Sequence, residues 1–142
     1  YIHLRIFSIF GENDHPWTLV MSAIRKMMSN EQVDLSPCTQ NWNFIYVKDA
    51  VKIISNLCVN AVNDETFKHE VYNIASDDTR QLKDFVEEMK QISKSKSILH
   101  YGAVVPNKFV SLQPDMRKTL KASGFIRFHK FSEVITIIIN NL

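Results

Sequence analysis

The stretch "NWNFIYVKDAVKIISNL", Asn41 to Leu57, decides how the chain is read. Its first half, Asn43 to Val47, is aromatic and β-branched and predicts a strand. Its second half repeats apolar residues at Ala50, Ile53, Ile54, Leu57 and Cys58, the spacing of a helix. Asp49 stands at the junction and is expected as the N-cap, its carboxylate accepting from free N–H groups of the first turn. A strand that runs directly into a helix is a unit of α/β architecture.

Working outward, Ile2 to Phe10 is apolar on both faces and predicts a parallel strand of a larger sheet, closed by the turn cluster "GEND". Pro16 predicts the first turn of a helix to Ser29, with Trp17, Val20, Ile24, Met27 and Met28 on one stripe. "EQVDLS" reads as a short strand or link. "HEVYNIA", His69 to Ala75, alternates as a strand and "SDDT" follows as a turn. Thr79 is a plausible cap for a helix from Arg80 to Ile92 that turns Leu82, Phe85, Val86, Met89 and Ile92 inward. "KSKSILHYG" leads into a strand, Val104 to Leu112 is irregular, and Pro114 to Ala122 is a helix closed by Gly124. In the tail "FSEVITIIINNL" the isoleucines favour a strand. Yet Phe131, Val134, Ile135, Ile138 and Leu142 share one helical face behind a Ser132 cap, so a helix is expected.

Composition narrows the function. With 142 residues and 45% hydrophobic content, the chain suffices for one compact domain. A net charge of +2 points away from nucleic acid. No apolar run approaches the roughly 20 residues that span a bilayer, so no membrane partner is expected. Cys38 and Cys58 fit no metal or redox spacing and read as reduced thiols of a cytoplasmic protein. The histidines His3, His15, His69, His100 and His129 share no zinc-ligand spacing. There are 3 glycines (Gly11, Gly102 and Gly124), too few for the glycine-rich loop that lets backbone approach a pyrophosphate. The chain opens inside a strand-like run without a methionine, which reads as part of a longer enzyme.

Four pieces then occur in order: "LRIFSIFGEND", "NWNFIYVKDAV", "VYNIASDDTRQLKDFVEEM" and "LQPDMRKTLKASGF". This succession resembles the C-terminal part of the NAD(P)-dependent epimerase/dehydratase family, the extended short-chain dehydrogenases that act on nucleotide-sugars. The family pattern is an arginine-led strand ending in Tyr-Gly, a strand with Val-x-Asp opening a helix, a Tyr-Asn-Ile strand, and a proline-aspartate helix ending in Leu-Gly-Phe. The resemblance implies an α/β fold: the C-terminal portion of a Rossmann-type enzyme, with short strands and about five helices. Residues 1–142 would form a single substrate-binding domain, within which 2–10 is a strand that completes the sheet of an N-terminal Rossmann domain lying elsewhere. The parent would use NAD or NADP, and its substrate would be a CDP-, dTDP- or UDP-linked sugar.

The resemblance also implies what this chain does not carry. The family's catalytic base is a Tyr-x-x-x-Lys pair, and none of Tyr1, Tyr46, Tyr72 and Tyr101 has lysine four residues on. No catalytic residue, no cofactor and no metal are therefore expected for this chain alone. Relatives often carry Asn at the position of Ser8, against the substrate diphosphate, and Arg-Asp-Phe where Trp42, Asn43 and Phe44 stand. Relatives acting on CDP- or dTDP-linked deoxysugars come nearer to the Asn-Trp-Asn version.

Ser8, Trp42, Asn43, Trp17 and Lys108 are the candidate substrate contacts. The helix start from Pro16 to Val20 would form a wall beside them. Trp42 can stack on a base or a sugar, or can anchor a strand. Asn43 can bond a nucleotide, or can be a polar residue beside a turn. Lys108 belongs to a basic C-terminal third that can attract a diphosphate or form a solvated face. Asp115 reads as a helix-start aspartate. A homodimer is compatible with the family. The rival reading is a non-enzymatic α/β interaction module that kept the fold and lost the chemistry.

Overall fold

A computed structural model describes residues 1–68, 70–106 and 108–142. His69, where the predicted strand "HEVYNIA" begins, and Asn107, inside the segment read as irregular, lie outside the described residues. Twelve elements follow in chain order: β1 His3–Ile6, β2 Ser8–Phe10, α1 Leu19–Met28, β3 Val33–Leu35, β4 Asn41–Tyr46, α2 Val47–Asn63, β5 Val71–Ile74, β6 Thr79–Gln81, α3 Leu82–Ile92, β7 Leu99–Tyr101, α4 Arg117–Ser123 and α5 Phe131–Asn140. The strands form a pair β1-β5, a sheet of order β2-β4-β6 and a pair β3-β7.

The backbone groups into two compact units, each assembled from three separate segments. The first holds Tyr1–Phe10, Asn43–Thr79 and Gln113–His129; the second holds Gly11–Trp42, Arg80–Leu112 and Lys130–Leu142.

In the first unit β1 runs parallel to β5, with His3 opposite Val71 and Ile6 opposite Ile74. The chain then changes partner, and β2 runs parallel to β4 with Ser8 opposite Phe44. The single strand predicted over Ile2 to Phe10 is thus two strands. The break falls at Phe7, whose N–H donates to Ile74 O at 3.0 Å as the last bond to β5. Helix α2 lays Ala50, Ile53 and Leu57 against Ile45, Tyr72, Ile74 and Met116 in one buried cluster. Its N-cap is Tyr46, so Asp49 lies one turn inside the helix and does not cap it. Helix α4 ends at Gly124, which takes the left-handed conformation (φ 62°) expected of a C-terminal glycine.

In the second unit α3 buries Leu82, Phe85, Val86 and Met89, and α5 buries Phe131, Val134, Ile135 and Ile138. Phe85 meets Phe131 edge to face at a centroid distance of 4.8 Å. The tail is a helix, as its apolar spacing requires. Ser132 is not its cap: the Glu133 carboxylate reaches back to the Lys130 N–H at 3.0 Å. Thr79 belongs to β6 and does not cap α3, which begins at Leu82. Helix α1 begins at Leu19, later than Pro16 suggested, because Pro16 and Trp17 form a turn ahead of it. Trp17 is consequently 75% exposed and stacks on His15 at 4.4 Å, outside the apolar stripe of α1.

Candidate functional site

Parallel strands leave their carboxyl ends open, and in α/β sheets ligands bind in the crevice there. In the first unit β1 and β5 end in register at Ile6 and Ile74. Two residues beyond those ends stand Ser8 and Ser76. The half-buried Ser8 opens β2, and Ser76 begins the turn to Thr79. Two hydroxyl residues, Ser8 and Ser76, therefore stand just beyond the carboxyl ends of this strand pair.

The turn is held from below by Asn43, whose side chain is 0% exposed. Its Nδ2 donates to Ser76 O at 3.1 Å, Asp78 O at 3.2 Å and Thr79 Oγ1 at 2.9 Å. Its Oδ1 accepts from Ser76 N at 2.9 Å and Ser76 Oγ at 3.3 Å. An amide offers two donors and two acceptor sites, so Asn43 is fully committed inside the protein. The Asp78 N–H donates in turn to Ser76 Oγ at 3.2 Å, which closes a small side-chain turn. Sequence reasoning found Asn43 but not this role, because its partners lie 33 to 36 residues downstream.

Asp49 is the second buried polar centre of the unit. Its Oδ2 accepts from the His129 N–H at 2.8 Å, and its Oδ1 lies 2.7 Å from His129 Nδ1. The Tyr46 ring meets the imidazole edge to face at 5.0 Å. This pair ties the segment after α4 to the first turn of α2. With Nδ1 engaged by the carboxylate, the imidazole presents Nε2 as its remaining ring nitrogen. The two residues are 80 apart, and no local spacing announces them.

The remaining candidates lie in the second unit. Trp42 is half-buried near the start of β4. Trp17 is the exposed residue of the turn before α1, and Lys108 is exposed in the irregular segment after β7.

The titratable groups offer little acid–base chemistry. Burial pushes the Tyr101 phenol well above its ordinary value, helped by the Glu87 carboxylate, which accepts from its hydroxyl at 2.9 Å. A tyrosine so held stays protonated and serves as a donor. Tyr72 is also raised, first by burial. The hydrogen bonds from the Arg117 side chain, aided by its backbone N–H, hold Asp115 down to about 2. The helix expected from Pro114 begins only at Arg117, so Asp115 stands one residue before the N-cap Met116 and accepts from Arg117 N at 3.0 Å. Because the folded value is depressed, this pairing contributes above the ordinary carboxylate range and is lost as pH falls through about 2. An NMR titration of the Asp115 carboxyl carbon is expected to show a midpoint near 2, returning toward 3.8 in Arg117→Met. Equal midpoints in the two proteins would show that Arg117 is not the cause.

No group of three or more His, Cys, Asp and Glu side chains gathers as metal ligands among the described residues. Nor do the glycines form a phosphate cradle. Gly11 follows β2 alone, Gly102 follows β7, and Gly124 closes α4. The three glycines therefore do not build the loop by which backbone approaches a dinucleotide pyrophosphate. No described helix is long and apolar enough to cross a membrane.

A family model described as the NAD dependent epimerase/dehydratase family matches residues 1–75, more than half of the chain. The chain belongs to that family. CDP-abequose synthase of Salmonella muenchen is 30% identical over 104 residues, which is 73% of this chain and 34% of that protein. The Yersinia pseudotuberculosis CDP-abequose synthase is 28% identical over 93 residues, 63% of this chain and 32% of that protein. The chain thus spans about a third of the length of these curated relatives. Among solved structures, UDP-glucuronic acid 4-epimerase from Bacillus cereus, in complex with UDP-glucuronic acid and NAD, superposes with a TM-score of 0.79 at 19% identity. That likeness covers 97% of this chain and 44% of the epimerase. RMD from Pseudomonas aeruginosa, complexed with NADPH, gives 0.81 at 14% identity over 99% of this chain and 47% of its own. Likeness at such identities shows the fold: the chain has an α/β fold found within these Rossmann-type proteins, with short strands and five helices among the described residues. These matches favour an enzyme-family fragment over an independent interaction module.

Proposed function

We propose that this chain holds the nucleotide-sugar of an NAD(P)-dependent epimerase, dehydratase or reductase, at the carboxyl end of β1 and β5. The observation that carries the reading is that Ser8 and the turn that Asn43 holds both stand two residues beyond strand ends in register. The Ser8 hydroxyl is suited to donate to a diphosphate oxygen. Asn43 enters through the turn it fixes: the Ser76 and Asp78 N–H groups are taken up inside that turn, which needs no reorganisation when substrate arrives. The chain's part is orientation, with hydride accepted and returned by NAD or NADP bound to a Rossmann domain encoded upstream.

Two CDP-abequose synthases among the sequence relatives support a CDP-linked sugar ahead of a dTDP- or UDP-linked one. We place the enzyme in the cytoplasm, with Cys38 and Cys58 as free thiols. The coding sequence upstream of Tyr1 is expected to specify a glycine-rich phosphate loop and a Tyr-x-x-x-Lys pair. A continuous reading frame that contains neither would overturn the enzyme reading.

A further inference from the structure

A cavity of about 680 Å³ opens in the first unit at the amino end of β5, the end opposite to the one proposed to receive the nucleotide-sugar. The carboxyl end of α2, helix α4 and the loop from α2 to β5 form its walls. Its lining combines a ring, amides and charge. The Lys118 ammonium lies over the Tyr72 ring at 5.3 Å and donates to the Glu70 carboxylate at 2.9 Å. That leaves the half-buried Phe67, with its ring centroid 5.6 Å from that of Tyr72, as the ring a ligand can meet. Asp64 is engaged as well, since its Oδ1 accepts from Thr66 N at 2.8 Å and from Thr66 Oγ1 at 2.6 Å. Against these two carboxylates stand three lysines, Lys68, Lys118 and Lys121, so the described lining is net positive. Lys121, in the last turn of α4, complements the helix dipole without a ligand. Lys68 stands outside every helix and lines the same cavity.

The upstream domain has a different face of this unit to cover. Successive residues of a strand point to opposite faces. Leu4, Tyr72 and Ile74 belong to the cluster formed with α2 and α4, whereas His3 and Arg5 on the other face of β1 are exposed. We propose that the cavity is a second ligand site, which takes a sugar monophosphate. The phosphate lies on Lys68 and Lys121, the hydroxyls on the amides of Asn60 and Asn63, and the C–H face of the sugar ring on Phe67. Asn60 donates from Nδ2 to Ala122 O at 2.8 Å and keeps its carbonyl oxygen to accept from a hydroxyl. Asn63 is exposed at the end of α2. Inorganic phosphate would leave the ring and the amides unused, and an uncharged sugar would leave the positive charge unmatched. The volume lies within the range of small-molecule sites. This site and the one at the carboxyl ends of the strands share no residue, so each can fail without the other.

The test is an amide NMR titration of the full chain with glucose 1-phosphate, glucose 6-phosphate and ribose 5-phosphate, with inorganic phosphate and glucose as controls. At least one of the three esters is expected to give saturable shifts at Asn63, Thr66 and Lys121, and to bind at least about tenfold more tightly than either control. Lys121→Met, at an exposed position, is expected to weaken that binding at least about tenfold, and Asn63→Ala about threefold. Lys96→Met, exposed in the second unit, is expected to leave it unchanged. The proposal is overturned if no ester gives a saturable shift, or if the saturable shifts fall at Ser8 and Ser76 alone. It is equally overturned by inorganic phosphate that binds as tightly as the best ester, by Lys121→Met without effect, or by an equal loss with Lys96→Met.

Discussion

Asn43→Ala is expected to lower the stability of the chain by about 3 kcal/mol, the largest effect of any single polar truncation in it. The removed amide serves two carbonyls, two hydroxyls and one backbone N–H, all gathered in the turn from Ser76 to Thr79. Alanine cannot replace any of them. The site is closed to bulk water, since Asn43 is 0% exposed and Ser76 is itself buried. A buried donor or acceptor left without a partner costs its full desolvation, which is more than the net gain of the bond it once made. The midpoint of urea unfolding should fall, and the melting temperature should drop by about 10 °C. Amide exchange localises the effect. The Ser76 N–H donates to Asn43 Oδ1, so its protection should collapse while that of the α3 amides is retained. Unchanged exchange at Ser76 would show that the turn is held by something else.

Asp49→Ala is expected to cost about 2–3 kcal/mol. The carboxylate sits in the first turn of α2, where the helix dipole favours an anion, and it accepts two bonds from His129. Its removal leaves the His129 N–H and ring facing an apolar gap beside Tyr46. His129→Ala is expected to cost only about 1 kcal/mol, because the backbone N–H still reaches Asp49 and the lost imidazole is half-exposed. The two changes should not add: a double-mutant cycle by urea denaturation is expected to give a coupling near 1 kcal/mol. Full additivity would mean that the carboxylate and the imidazole are neighbours without an interaction.

These two centres also mark where the sequence stops being informative. The helices were legible because burial imposes a period: Leu82, Phe85, Val86 and Met89 lie on the inner face of α3, as their spacing requires. Gly124 was legible because its backbone needs a left-handed conformation at a helix end. Asp49 and Asn43 drew attention as polar residues in an apolar stretch, but their functions depend on partners far along the chain. Local rules assigned Asp49 the nearest free N–H groups, whereas the fold offered it the amide and ring of His129. The division of Ile2 to Phe10 into two strands has the same origin. Apolar pattern reports burial, and the choice between β5 and β4 as partner is made by residues remote in sequence. The grouping into two units of three segments each is likewise invisible to any sliding window. Three glycines cannot build a dinucleotide loop, and they stand at three unrelated turns.

The central claim is that the carboxyl end of β1 and β5 receives a nucleotide-sugar. The most direct measurement is a titration of the chain with CDP, and separately with UDP, followed residue by residue in amide NMR spectra. Saturable shifts at Ser8 and at Ser76 to Asp78 are predicted, with CDP binding at least about tenfold more tightly than UDP. Shifts that saturate only at residues remote from these strand ends, or no saturable shift with either nucleotide, would contradict it.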